Sequence, residues 1–98
     1  MTTHDLKINQ YYYDAVKNGI KTFEVRKADR DYKVGDTLCL TAVDYDGNNI
    51  EVCERGLGGY LTERILQTKV AVTYILTHDD FPEGVPKGYV VMSIKRCE

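Results

Sequence analysis

Past Gly19 the spacing of apolar residues changes from helical to alternating, and that change of period limits the folds open to this 98-residue chain. Before it, Ile8, Tyr12, Ala15 and Val16 recur at helical spacing. Asn9 is suited to cap the first turn, because its side-chain oxygen can accept from a backbone N–H that has no partner within the helix. Asn18-Gly19 supplies the stop, since glycine tolerates the left-handed conformation common just past a helix end. A short helix over residues 10 to 18 is predicted, with Tyr12 on its core face and Tyr11 or Tyr13 left free.

From Lys21 onward the pattern is that of strands. Phe23 and Val25 share one face of the first and are expected to hold it to the core, while Thr22, Glu24 and Arg26 share the other. A turn at Lys33-Val34-Gly35-Asp36, with Asp36 read as a turn residue, leads into an apolar strand over 37 to 43. Asp46-Gly47 is a tight-hairpin signal, so a return strand through Ile50-Glu51-Val52-Cys53 is expected to pair with its predecessor. Gly56, Gly58 and Gly59 mark a mobile or tightly bent loop. The longest strand candidate, Lys69 to Leu76, is apolar enough to be buried on both faces. A connection broken by Pro82 and Pro86 precedes the last strand, Tyr89 to Ile94. One N-terminal helix and five or six strands imply a single α+β, mainly β domain over 1 to 98, curled into a small barrel because closure hides strand edges.

Composition narrows the function. No apolar run approaches the roughly 18 residues that cross a bilayer, and the N-terminus lacks the basic-then-apolar order of a secretory signal. A cytoplasmic protein with no membrane partner is expected. Cys39, Cys53 and Cys97 are too few and too scattered for a disulfide framework; Cys39 reads as core and Cys97 as exposed, with Cys53 undecided. With only His4 and His78 beside them, both read as exposed polar residues, no metal site and no cofactor are expected. The net charge of −2 is unevenly spread: residues 17 to 33 carry +3 and the remainder −5. Such a segment can attract phosphate even in an acidic protein, though charged strand ends and turns give the same pattern without any ligand.

Within that segment, Gly19-x-Lys21-x-x-Glu24-x-Arg26 resembles the signature of the ASCH domains, small PUA-like β-barrels. The likeness extends in order through His4 to Ile8, the tyrosine-rich helix, Asp29-Arg30-Asp31-Tyr32, Val34-Gly35-Asp36 and Gly88 to Ile94, and points to a compact bacterial and phage subgroup of unassigned function. It implies a cleft between the early helix and the sheet, lined by Lys21, Glu24 and Arg26, that binds RNA or a nucleotide-like small molecule. On one strand face, Glu24 can orient the Arg26 guanidinium and leave its other donors for a phosphate, carboxylate or base edge. Lys21 adds a mobile positive charge, and Arg30, with Asp29 beside it, either closes over the ligand or only shapes a turn.

Two rival functions remain open. One ASCH subgroup comprises small amidohydrolases that deacetylate acetylcytidine, with a lysine, a threonine three residues later and a distant glutamate implicated in the chemistry. Lys21 matches the lysine, but Glu24 stands at the threonine position, and Glu83 is a conjectural counterpart of the glutamate. A carboxylate there suits a base toward water, or a counter-ion, better than an acylated nucleophile. The other rival is a protein-interaction module presenting Tyr11, Tyr13 and an open strand edge.

Overall fold

The computed structural model describes residues 1–55 and 61–97, with side chains described outside 53–64, so the glycine loop of 56–59 and the Cys53 thiol lie outside the described residues. Its elements run β1 (Thr3–Asn9), α1 (Gln10–Lys17), β2 (Phe23–Lys27), β3 (Thr37–Val43), β4 (Glu51–Arg55), β5 (Leu61–Ile65), β6 (Gln67–Thr77) and β7 (Tyr89–Arg96). Five strands form a curled half-barrel sheet in the order β1-β3-β6-β7-β2, and β4 and β5 form a separate two-stranded ribbon. Among the described residues the fold is mainly β with one short helix. Among the described residues no helix is long and apolar enough to cross a membrane.

Helix α1 begins where expected, with Asn9 accepting from the Tyr11 N–H, and ends at Asn18 before Gly19, whose φ is +75°. Its buried residues, however, are Tyr13 and Val16, three positions apart, while Tyr12 is half exposed. The Tyr13 hydroxyl donates to the Gln67 carbonyl at 3.1 Å, a partner that only the folded sheet supplies. Strand β1 lies parallel to β3, so the chain between them must cross over; α1 and β2 are that crossover.

The core draws Leu6 and Ile8 from β1, Tyr13 and Val16 from α1, Leu38, Leu40 and Ala42 from β3, Val70 and Val72 from β6, and Val90, Met92 and Ile94 from β7. Cys39 is also buried and Cys97 exposed, as their sequence settings suggest. Strand β2 adds no apolar residue to this core. A bulge in β6 between Val72 and Tyr74 sharpens the local twist, and Thr73 and Tyr74 are exposed there, so β6 is covered on both faces along only part of its length. Asp46-Gly47 does turn the chain, with the Gly47 N–H donating to the Asp44 carbonyl, but the pairing that follows differs from the expected hairpin. Among the described residues, only the Val43–Asn49 bridge and the bond from Ile50 N–H to the Ala42 carbonyl join the returning segment to β3; β4 pairs with β5, and β6 takes the place beside β3. Turn chemistry predicts a reversal, but competition for the β3 edge decides which strand fills it.

His4 departs most from its sequence reading. It is 7% exposed, packs against the Tyr32 ring at a centroid distance of 4.7 Å, and shares a 2.8 Å hydrogen bond with Asp36. Asp36 also accepts from the backbone N–H groups of Thr2 and Lys33, at 3.1 and 3.0 Å. It is therefore a turn residue that also anchors the start of β1. The His4 hydrogen bond, followed by that from Thr2, holds its carboxyl down at about 2. His78 is partly buried, with Nδ1 2.6 Å from the Val85 carbonyl oxygen.

Candidate nucleotide cleft between the sheet edges

The inside and outside of β2 are the reverse of the sequence expectation. Glu24 is 3% exposed, whereas Phe23 and Val25 are 48% and 50% exposed. Alternation along the strand is preserved, so Thr22-Glu24-Arg26 and Phe23-Val25 do occupy opposite faces. Hydrophobicity then selects the wrong inner face, because Glu24 is buried together with its own counter-charges. Taking a carboxylate out of water costs several kcal/mol unless ionic partners and hydrogen bonds replace the lost hydration.

Those partners are Lys21 and Arg26. Lys21 Nζ donates to Glu24 Oε1 at 2.8 Å, and Arg26 Nε donates to Glu24 Oε2 at 2.9 Å. The turn at Gly19 brings Lys21 into place; backbone N–H groups of Ile20 and Lys21 both donate to the Ala15 carbonyl and pin the chain under the end of α1. Lys21 Nζ also donates to the Phe23 carbonyl at 2.6 Å and sits 4.7 Å from the Phe23 ring centroid and 5.4 Å from that of Tyr12. Both distances are within cation–π range. The Lys21 and Arg26 side chains are 16% and 22% exposed, so the triad carries a net single positive charge and remains open to solvent through its cationic members. Among the described residues, no hydrogen bond occupies the terminal guanidinium nitrogens of Arg26.

These groups line a cleft of about 440 Å³ between the two end strands of the sheet, with Lys7, Ile8 and Asn9 of β1 and Tyr12 of α1 opposite Phe23 to Arg26 of β2. A second depression of about 540 Å³ continues it through Lys7, Val25 and Arg26, and there Arg30 and Asp29 join Lys27, Tyr32 and Tyr89. Burial pushes the Tyr32 hydroxyl up, against the opposing pull of Arg30 and Arg26. Lys21, Glu24 and Arg26 thus converge, and Arg30 stands one depression away, on the far side of Arg26. Glu83 lines neither cavity, and the Tyr11 hydroxyl is engaged with that of Tyr45 at 2.7 Å.

Lys7, Tyr12, Phe23 and Val25 are cleft residues that the sequence reading did not place. For Lys7 a signal exists: it alternates with Leu6 and Ile8 and so points away from the core. What the linear pattern lacks is the adjacency of β1 and β2 across the opening, which follows from the five-strand order. Chemically, the site offers fixed cationic donors above an anionic floor, flanked by aromatic faces. That combination suits a planar, negatively charged ligand.

A crystallographically determined hypothetical protein, PH0355, matches over 99% of this chain and 100% of its own, with a TM-score of 0.56 and 17% identity, a likeness of fold. An uncharacterized 12.9 kDa protein in the GpA 3′ region of Escherichia phage P2 is 49% identical over 37 residues, which make up 38% of this chain. The match spans about a third of that relative's length (34%). Over residues 3–94 the sequence matches the family described as a domain of unknown function (DUF3850), and the chain belongs to that family.

Proposed function

We propose that this protein is an ASCH-type, PUA-like module that binds RNA or a nucleotide-like small molecule in the cleft between β1 and β2. The observation that carries this reading is the convergence of Lys21, Glu24 and Arg26 on one cavity, with the Arg26 terminal donors uncommitted. Glu24 fixes the guanidinium, so little conformational entropy is lost when a phosphate or base edge engages its outer nitrogens. Lys21 supplies further positive charge, Lys7 lines the cleft while its Nζ reaches the Gly47 carbonyl at 3.4 Å, and Tyr12 and Phe23, whose rings lie under Lys21 Nζ, border the space a base would enter. The ordered motif from His4 to Ile94 supports the ASCH assignment, as does the curled five-strand sheet.

Binding accounts for the geometry better than amide hydrolysis. Both Glu24 oxygens already accept from cations at 2.8 and 2.9 Å, an arrangement that suits a counter-ion more than a base reaching for water. Fluorescence anisotropy with short single-stranded RNAs and nucleoside monophosphates, across a salt series, tests the proposal. Affinity should fall with rising salt, and Arg26→Ala should weaken binding about tenfold and reduce the salt slope by about one phosphate contact. Absence of binding at low ionic strength, or binding indifferent to Arg26→Ala, would overturn it.

A further inference from the structure

Residues whose side chains alternate between the two faces of β2, Phe23 and Val25 as well as Glu24 and Arg26, line the same cleft. Only a strand presenting its edge can do this, because successive side chains point to opposite faces. The direction of the β2 backbone groups follows from its pairing with β7. Beyond the two ends of β2, Ile94 N–H donates to the Thr22 carbonyl and Ala28 N–H to the Gly88 carbonyl. Antiparallel ladders alternate, so with the register Glu24↔Met92 and Arg26↔Val90 the even-numbered residues direct their N–H and C=O groups at β7. Phe23, Val25 and Lys27 direct theirs the other way, toward the cleft. The Lys21 bond to the Phe23 carbonyl, 2.6 Å long, agrees with this alternation.

Val25 is therefore distinctive. It lines both cavities and its neighbour Arg26 stands where they join; it faces away from β7 in the ladder, and among the described residues neither its N–H nor its C=O has a partner. One residue then offers an adjacent donor and acceptor at the middle of a cleft walled by Lys7, Lys21 and Arg26. We infer that the Val25 backbone reads the Watson–Crick edge of a nucleobase, pairing its N–H and C=O with an adjacent acceptor and donor on the base while the neighbouring cations hold the phosphate. This rests on the reading of the cleft as a nucleotide site and adds the atoms that recognise the base. The cationic walls favour a nucleotide over a neutral peptide strand as the occupant of this edge.

The probes are adenosine and uridine 5′-monophosphates, their counterparts methylated at N1 of adenine and N3 of uracil, and ribose 5-phosphate, each titrated into the ¹⁵N-labelled protein. The unmodified nucleotides should shift the Val25 amide resonance, and methylation of the base edge should weaken binding about tenfold. Val25→Pro deletes the N–H without removing a ladder bond, a substitution that edge strands tolerate, and should reproduce the loss. Equal binding of methylated and unmethylated nucleotides, or of ribose 5-phosphate, would overturn base reading and leave the nucleotide site standing. Failure of every nucleotide to bind would overturn both. Val25 shifts produced by an extended acidic peptide, and by no nucleotide, would reassign the edge to strand addition. The methylated probes act on the unaltered protein, so the outcome stands even if Val25→Pro does not fold.

Discussion

Two buried carboxylates, Glu24 and Asp36, are nearly equally hidden, at 3% and 2% exposure, yet they are built for different ends. Asp36 is held by His4 and by two backbone N–H groups, from Thr2 and Lys33, and these bonds fasten the start of β1 to the turn before β3. Glu24 is held by two flexible cations whose side chains open onto a cleft. Burial alone does not distinguish structure from site. What distinguishes them is where the partners' remaining donors lead: around Asp36 into the framework of the fold, around Glu24 into a space large enough for a ligand.

Replacing the triad with apolar residues of similar volume tests this contrast most severely. Lys21→Met, Glu24→Leu and Arg26→Met together should leave stability within about 1 kcal/mol, because a well-packed apolar cluster commonly matches a buried ion group. Nucleotide affinity should fall at least about a hundredfold, or roughly 2.7 kcal/mol. Urea denaturation paired with anisotropy reads both quantities; a large stability loss with affinity retained would make Glu24 as structural as Asp36. His4→Ala should do the opposite. It removes a donor from Asp36 and the packing against Tyr32, costing about 2 kcal/mol, as measured by the urea midpoint.

Acid titration sharpens the comparison further. The Asp36 carboxyl is held at about 2, below its ordinary 3.8, so the unfolded chain takes up protons first as pH falls. Its contribution is fully present above about pH 4 and is lost as pH drops toward 2. Asp36→Asn should remove that part of the acid slope, while Asp80, which Thr77 also holds down, keeps its own share. The smallest effect is expected at Asp31, whose 3.5 Å contact with Lys33 joins side chains 84% and 69% exposed. Asp31→Ala should shift stability by at most about 0.5 kcal/mol, with unchanged thermal and urea midpoints as the readout.

Much of the chain is legible before folding. Asn9 and Asn18-Gly19 bound α1 to within a residue, Gly35 turns into β3 with φ +96°, and the alternating apolar runs give most strands. Glu24 and Arg26 are found together because a two-residue offset puts them on one face of β2, whereas Lys21 precedes the strand and joins them through the turn at Gly19, a placement the family pattern implied and the two-residue period did not. His4 is missed because its partner, Asp36, lies 32 residues away and a lone histidine carries no signal of it. The two-stranded ribbon is missed because a hairpin signal at Asp46-Gly47 cannot say which edge will accept the returning chain.

By itself the sequence determined local matters: where the chain bends, which residues alternate, and that residues 17 to 33 carry an excess of positive charge. Only the tertiary structure decided which face of β2 turns inward, because period-two alternation is symmetric between the faces. Hydrophobicity favoured Phe23 and Val25 for the inside, and two ionic hydrogen bonds placed Glu24 there instead. The cleft is likewise tertiary, since it exists where β1 and β2, at opposite ends of the five-strand order, line one opening. No linear pattern carries that neighbourhood, because it depends on how far the intervening strands twist and curl.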